Sequence, residues 1–325
     1  MDEHAPNHLA AHLSGKTTTL FNPSDPIPET GLTWIHLEAV SAPEVHSAIN
    51  IMVETFPLTA SDFFNDYLRL GVEYRAEGFA LLCSIPTCAE QPKYRPIAFF
   101  ATTHCLLTIT QEHVPELTEE FEAWQHNPQE VGKDIGHLLY SLLDISLDSY
   151  FPLIDLLNDQ IDDLEAQIFE QPRTTPTDAL KIKRQLLTIR KQVSPVRENI
   201  NSIIRHGQPI VKPAQLPEYQ DLYNHSLRIA ENLDLGRDLL AGLIDIQLSI
   251  TSNRLNEVMR TLTVITTVLM TAALIAGIYG MNFKHMPELD WPLGYPLAIG
   301  IMILSSFGIV AWFRHAGIIE PKEKE

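Results

Sequence analysis

The chain is 325 residues long and 20% charged, with 41 acidic side chains against 23 Lys and Arg, a formal net charge of -18. A surplus of that sign excludes nucleic acid as a natural partner and concentrates cations, although excess acid also serves plain solubility. Three cysteines, Cys83, Cys88 and Cys105, without CxxC spacing exclude a disulfide framework and point to a reducing compartment and structural or inert thiols.

In chain order, the opening MDEHAPNHLAAHLSG carries acidic residues and lacks the basic start and apolar core of a secretion signal, so nothing in it sends the front of the chain outward. His4, His8 and His12 stand at four-residue spacing. On a helix they would share a face and suit a softer metal, whereas in a mobile terminus they would have no joint role. From Gly31 to about Glu112, runs rich in aromatic and β-branched residues, GLTWIHLEAV, GFALLCSIPTC and IAFFATTHCLLTIT, alternate with helix-like stretches such as Pro43 to Thr55. This predicts a mixed α/β domain over residues 1–134.

After Pro128 the period changes to that of a helix, with Leu143, Tyr150, Ile154, Leu157, Ile161, Leu164 and Ile168 on one face. A PRTTP break and a second periodic segment, Leu180 to Ile204, predict a helical hairpin within 135–213. Pro213 and Pro217 then precede some seventy residues without proline. One helix from about Glu218 to Gly280 would span roughly 95 Å at 1.5 Å per residue. Its stalk portion, 214–259, cannot bury its own apolar seam, so further copies of the chain must cover it.

Residues 260–325 form the membrane domain. Thr261 to Phe283 and Trp291 to Phe313 lack any charge, and each is long enough to cross roughly 30 Å of hydrocarbon as a helix. The spans are placed at about 260–280 and 294–313, with a loop over 281–293. Arg254 and Arg260 precede the first, Arg314, Lys322 and Lys324 follow the second, and the loop holds only Lys284, so both termini face the cytoplasm. The acid is all in front: residues 1–259 hold 36 acidic and 18 basic side chains, and 260–325 hold 5 of each.

Asn256, Met259, Thr263, Thr266, Met270, Ala273 and Gly277 fall on a single 3,4-spaced stripe of the first span. Two readings compete. Small and hydroxyl residues allow close helix contact in lipid. Alternatively the stripe lines a pore, with thioethers at an apolar constriction and the amides of Asn256 and Asn282 at its ends. Asn282 could likewise be a simple C-cap. Repeated round an axis it becomes a ring of neutral acceptors, suited to an ion such as Mg2+ that sheds water reluctantly.

Tyr279-Gly280-Met281-Asn282, followed by Met286-Pro287-Glu288-Leu289 between two C-terminal spans, resembles the CorA family of magnesium and cobalt transporters. The segment from Asn253 to Thr263 is similar to that family's span entry. The resemblance is strongest over about 215–313, and implies a funnel-shaped homopentamer with a cytoplasmic α/β/α sandwich, a long stalk helix and two C-terminal transmembrane helices in the inner membrane. By motif, Gly280, Met281 and Asn282 become the selectivity filter and Asn256, Met259, Leu262 and Met270 the conduit or gate, joined from the stripe by Thr263, Ala273 and Gly277. Cation capture by the loop rests on Glu288 and Asp290. The family's regulatory carboxylates map to Asp221, with Asp62 and Asp245 as further candidates. Lys284 stands where relatives often carry acid, Thr271 replaces a mid-span proline, and the basic cluster after the second span shrinks to Arg314 and His315.

The resemblance thus implies a transporter without organic cofactor, whose partners are divalent cations, lipid and its own copies. Uptake of Mg2+, and of Co2+ and Ni2+, would run down the electrochemical gradient and be inhibited by internal Mg2+ between protomers. Two charges crossing an inside-negative membrane gain about 4.6 kcal/mol per 100 mV, and no Gly-rich phosphate loop provides for a nucleotide. The alternatives are a Zn2+ transporter of the same architecture and a membrane-tethered cytoplasmic enzyme, the latter without any nucleophile motif or HExxH to support it.

Overall fold

A computed structural model describes residues 8–20, 27–38, 71–75, 78–88, 92–170, 176–282, 286–287 and 291–317. The chain divides into two compact units, Met1–Gly242 and Leu243–Glu325.

The first unit is built on a seven-stranded sheet: β1 His8–Ser14, β2 Thr17–Leu20, β3 Leu32–Glu38, β4 Glu73–Tyr74, β5 Gly78–Pro86, β6 Tyr94–Thr102 and β7 Cys105–Thr110. The strand order is β2-β1-β3-β7-β6-β5-β4, and only the β3–β7 pair is parallel. Every residue of β3, β5 and β7 is buried. These strands therefore read as continuous apolar runs rather than as alternating ones, the pattern of a sheet covered on both faces. Trp34 of β3 meets Phe121 and Trp124 of α1 (Pro115–His126) with ring centroids 4.9 and 5.7 Å apart. Its indole N–H donates to Thr108 Oγ1 across 3.1 Å. His36 Nδ1 lies 2.9 Å from the same oxygen, its Nε2 has no hydrogen-bond partner, and burial lowers its pKa to about 4.

The first expectation to fall concerns the N-terminal histidines. His8 and His12 belong to strand β1, whose Ala10, Ala11 and Leu13 are buried against the sheet. Four residues along a strand cover about 13 Å, against one helical turn, so the spacing builds no joint ligand face. His12 Nδ1 is instead 2.9 Å from Thr33 Oγ1. His4, and the helix-like stretch Pro43 to Thr55, lie outside the described residues.

Helices α2 (Pro128–Val131), α3 (Ile135–Asp148), α4 (Phe151–Glu170) and α5 (Pro176–His206) follow. Asp134 caps α3 by accepting from the His137 N–H at 3.0 Å. Tyr150 joins helices to sheet by donating to the Ser84 carbonyl at 2.9 Å. Cys83 and Cys105 are buried thiols whose pKa values burial raises, Cys83 to about 12, so the expectation of inert cysteines holds for both. A 3-10 turn, Pro213–Gln215, leads into α6, Leu216–Tyr279, a single helix of 64 residues. Gly236 does not interrupt it, and a Cβ there would stand at ordinary van der Waals distance, 3.4 Å from Ile161 of α4 and 3.5 Å from Leu186 of α5. Tyr219, Leu222, Ile229, Leu233 and Leu240 of α6 are buried, so the first part of its apolar seam is covered within the chain against expectation, whereas Leu235, Leu239, Leu248 and Leu255 are exposed.

The second unit contains the C-terminal part of α6 and α7, Gly294–His315. Both helices are long and apolar enough to cross a membrane. The α/β unit with a long helix and two terminal apolar helices is the architecture expected above.

Candidate functional site

Along the second unit, α6 has two contrasting faces. Val264, Thr267, Val268, Thr271, Ala272, Ile275 and Tyr279 are half-buried at helical spacing. At the end of that face, Ala276, Tyr279 and Gly280 share a cavity of about 450 Å³ with Trp291, Tyr295 and Ala298. The predicted stripe is the other face. Asn256, Met259, Thr263, Thr266, Met270, Ala273 and Gly277 are all exposed, as is Leu262. Their mean direction lies about 150° round the helix from the half-buried set, at 100° per residue.

The threonines of this helix have a defined polarity. Thr263 and Thr266 donate their hydroxyl protons to the carbonyls of Met259 and Leu262, four residues back, at 2.8 and 2.7 Å. With the proton spent on the helix, the oxygen lone pairs are what the hydroxyl offers outward. The stripe thus presents acceptors and thioethers without a charged group, which suits passage of a hydrated cation better than its capture.

Past Tyr279 the helix closes with Gly280 N–H on the Ala276 carbonyl at 2.9 Å and Met281 N–H on that of Ile278 at 3.2 Å. Met281 and Asn282 follow, both exposed, Met281 at 48%. Glu288 and Asp290, with Lys284, lie outside the described residues, as does Asp62.

Asp221 is exposed near the start of α6 and belongs to an acidic group that sequence reasoning saw only in part. The Tyr140 hydroxyl has its pKa raised, first by burial and then by the charges of Asp144, Asp221, Glu218 and Asp148. Asp148 is itself held above the usual carboxylate range by burial and by the charge of Asp144. His225, one turn beyond Asp221, reaches both aspartates. The signal was present as two i,i+4 pairs, Asp144 with Asp148 and Asp221 with His225, but only the fold shows that they face each other. Asp245 is exposed on the part of α6 in the second unit.

Residues 29–315 match the family described as CorA-like Mg2+ transporter protein. The chain is 32% identical over 288 residues to the cobalt/magnesium transport protein CorA of Thermotoga maritima, covering 87% of this chain and 82% of that one. In fold it is similar to the complete structure of the CorA magnesium transporter from Methanocaldococcus jannaschii, with a TM-score of 0.79 at 22% identity over 96% of this chain and 98% of that one. The cytoplasmic domain of ZntB from Vibrio parahaemolyticus gives a TM-score of 0.61 at 16% identity, covering 77% of this chain and 98% of the domain.

Proposed function

Because the chain belongs to the family of CorA-like Mg2+ transporters, we propose that it is a gated, channel-like path for hydrated divalent cations, chiefly Mg2+ and also Co2+ and Ni2+. The working unit is a homopentamer in the inner membrane with both termini cytoplasmic, and the ions move inward down their electrochemical gradient. One observation carries this reading. The α6 face that holds Asn256, Met259, Thr263, Met270, Ala273 and Gly277 is exposed along its whole length and points away from the half-buried face. Five copies with that face turned inward enclose a conduit of amides, hydroxyls and thioethers, with Gly280, Met281 and Asn282 at its mouth. The neutral amide of Asn282 bonds to the water shell of the ion and leaves it free to move on.

Regulation follows from the carboxylates. Internal Mg2+ bound at Asp221 between neighbouring copies offsets their repulsion and holds the stalks so that the Met259–Met270 segment stays narrow. Depletion restores the repulsion and loosens the bundle. Asp62 and Asp245 are further members of this sensor, and Glu288 and Asp290 gather cations at the outer loop. The family is one of transporters, so the tethered-enzyme alternative falls away.

Uptake into proteoliposomes containing the purified chain, with Mg2+, Co2+, Ni2+ and Zn2+ in competition, tests the reading. Mg2+ flux that internal Mg2+ suppresses is the expected result. Zn2+ flux that Mg2+ does not compete with would replace it by the zinc alternative.

A further inference from the structure

Between the last turn of α6 and the first turns of α7 the second unit holds a cavity of about 450 Å³. We propose that it is a lipid site, in which one acyl chain of a phospholipid from the leaflet opposite the cytoplasm lies behind Gly280, Met281 and Asn282.

Small residues on both helices make the gap. Ala276 and Gly280 of α6 and Gly294 and Ala298 of α7 line it, each with a methyl group at most, so no bulky side chain fills the space between. Its shape follows from the spacing of the lining. On α7 this runs from Gly294 through Ala298 to Met302, about 12 Å of helix. One leaflet contributes roughly 15 Å of a 30 Å hydrocarbon core, so the cavity spans most of a leaflet's depth. Spread over that length, about 450 Å³ leaves a slot about 7 Å wide. A helix of about 10–12 Å diameter can cover such a slot but cannot enter it. A single hydrocarbon chain, making van der Waals contacts at about 4 Å, can.

The lining has the chemistry of a bilayer edge. Among the described residues none that lines the cavity is charged, and its hydrogen-bonding side chains are Tyr279, Trp291 and Tyr295. All three stand at the end where α6 stops and α7 begins. Trp291 is 50% and Tyr295 79% exposed, the placement of an interfacial aromatic belt. There an indole N–H and a phenolic O–H can donate to the ester carbonyls or phosphate oxygens of a headgroup. Farther along α7, Ile299 and Met302 offer only apolar contact. Donors at one end and hydrocarbon along the rest match an amphiphile and leave a compact polar solute nothing to bond to at depth.

The chain in this slot packs against Gly280 from the side away from the exposed stripe, and so supports the turn that leads into Met281 and Asn282. That consequence and the choice of leaflet rest on the transport reading, whereas the binding of an acyl chain does not.

The full chain in nanodiscs of phosphatidylethanolamine and phosphatidylglycerol, with a trace of phosphatidylcholine carrying a photoactivatable diazirine midway along one tail, provides the test. After illumination the attachment sites are mapped by mass spectrometry of peptides. Ile299 and Met302 should be labelled severalfold more than Leu297 and Ile301, which are each 43% exposed on the same stretch of α7 but do not line the cavity. Ala298→Phe, which fills the slot, should abolish the excess while the oligomer stays intact by size exclusion. Ile299→Trp fills it from a residue already 38% exposed and should abolish the excess at Met302 even if the buried phenylalanine disturbs the helix pair. Equal labelling at all four positions, or an excess that both variants keep, would reduce the lipid to an unselective coat. Label at Leu297 and Ile301 with none in the cavity would give the space to side chains of a neighbouring copy. Either result overturns the proposal. Labelling needs no ion gradient, so its failure and a failure of Mg2+ uptake are separate results.

Discussion

The two compact units treat apolar side chains in opposite ways. In Met1–Gly242 the chain buries its own, and six of the large exposed apolar residues among those described lie there. In Leu243–Glu325, which is about a quarter of the length, there are twenty-two, among them Leu262, Leu269, Met270 and Phe307, while the buried apolar residues shrink to Leu243, Ala298 and Phe313. Left in water, such a surface would forfeit about 25 cal/mol for each Å² of apolar area. The first unit carries its solvent-excluding material within itself, whereas the second leaves most of its apolar surface uncovered in a single chain.

Truncating one apolar residue in each unit breaks or sharpens that contrast most directly. Trp34 is fully buried between the sheet and α1, and Trp34→Ala should cost about 3–5 kcal/mol, seen as a lower thermal transition by circular dichroism of the full chain in detergent. Leu269 is 63% exposed on α6, and Leu269→Ala should shift the same transition far less. Equal shifts would show that the second unit also rests on a core of its own. On the functional side, Asn282→Ala should reduce divalent uptake to the background of empty liposomes with the oligomer intact, whereas a mere helix cap would tolerate it.

Acid should separate the units by a somewhat smaller amount. The folded-state pKa of His36 is lowered from 6.5 to about 4 by burial. The unfolded chain then binds this proton more readily than the folded one, so stability is complete above pH 6.5 and declines as pH falls toward about 4. At 1.36 kcal/mol per pKa unit the loss approaches 3 kcal/mol. Unfolding midpoints between pH 7 and 4.5 should fall, and His36→Leu should flatten that slope. A smaller effect concerns the sensor. Asp221→Lys should raise the internal Mg2+ needed for half-inhibition of flux by about tenfold, near 1.4 kcal/mol, and unchanged inhibition would remove Asp221 from the mechanism.

Much of the architecture was legible because it depends on local pattern. The stretch without proline predicted a helix from about Glu218 to Gly280, and α6 runs Leu216–Tyr279. The runs beginning at Gly31 and Gly78 are strands β3 and β5, since β-branched and aromatic residues fit a sheet covered on both faces. The N-terminus was harder to read. HLAAHLS has small residues and weak alternation, and it is a strand because β3 pairs with it from His8↔Leu37 to Leu13↔Leu32. The polar stripe of α6 could be read because one helix carries all of it. The partners of His225 could not, because Asp144 and Asp148 come from a helix some eighty residues earlier in the chain and meet it only through tertiary packing.

The smallest predicted effect is the most discriminating for the role of neighbouring copies. In a helix, alanine is favoured over glycine by about 1 kcal/mol when nothing obstructs the added methyl. At Gly236 that methyl would touch Ile161 and Leu186 at ordinary van der Waals distance, so Gly236→Ala should be neutral or stabilise slightly, within about 1 kcal/mol. At Gly277, on the exposed stripe, a Cβ meets nothing within 4 Å in one chain. If lipid faced that position, Gly277→Ala would stabilise the helix and leave flux unchanged. If five stripes face one another, five methyls enter the conduit together, and uptake in proteoliposomes should fall severalfold although the helix itself prefers alanine. Opposite signs for helix stability and ion flux at one glycine would mean that the unobstructed space beside Gly277 is an ion path.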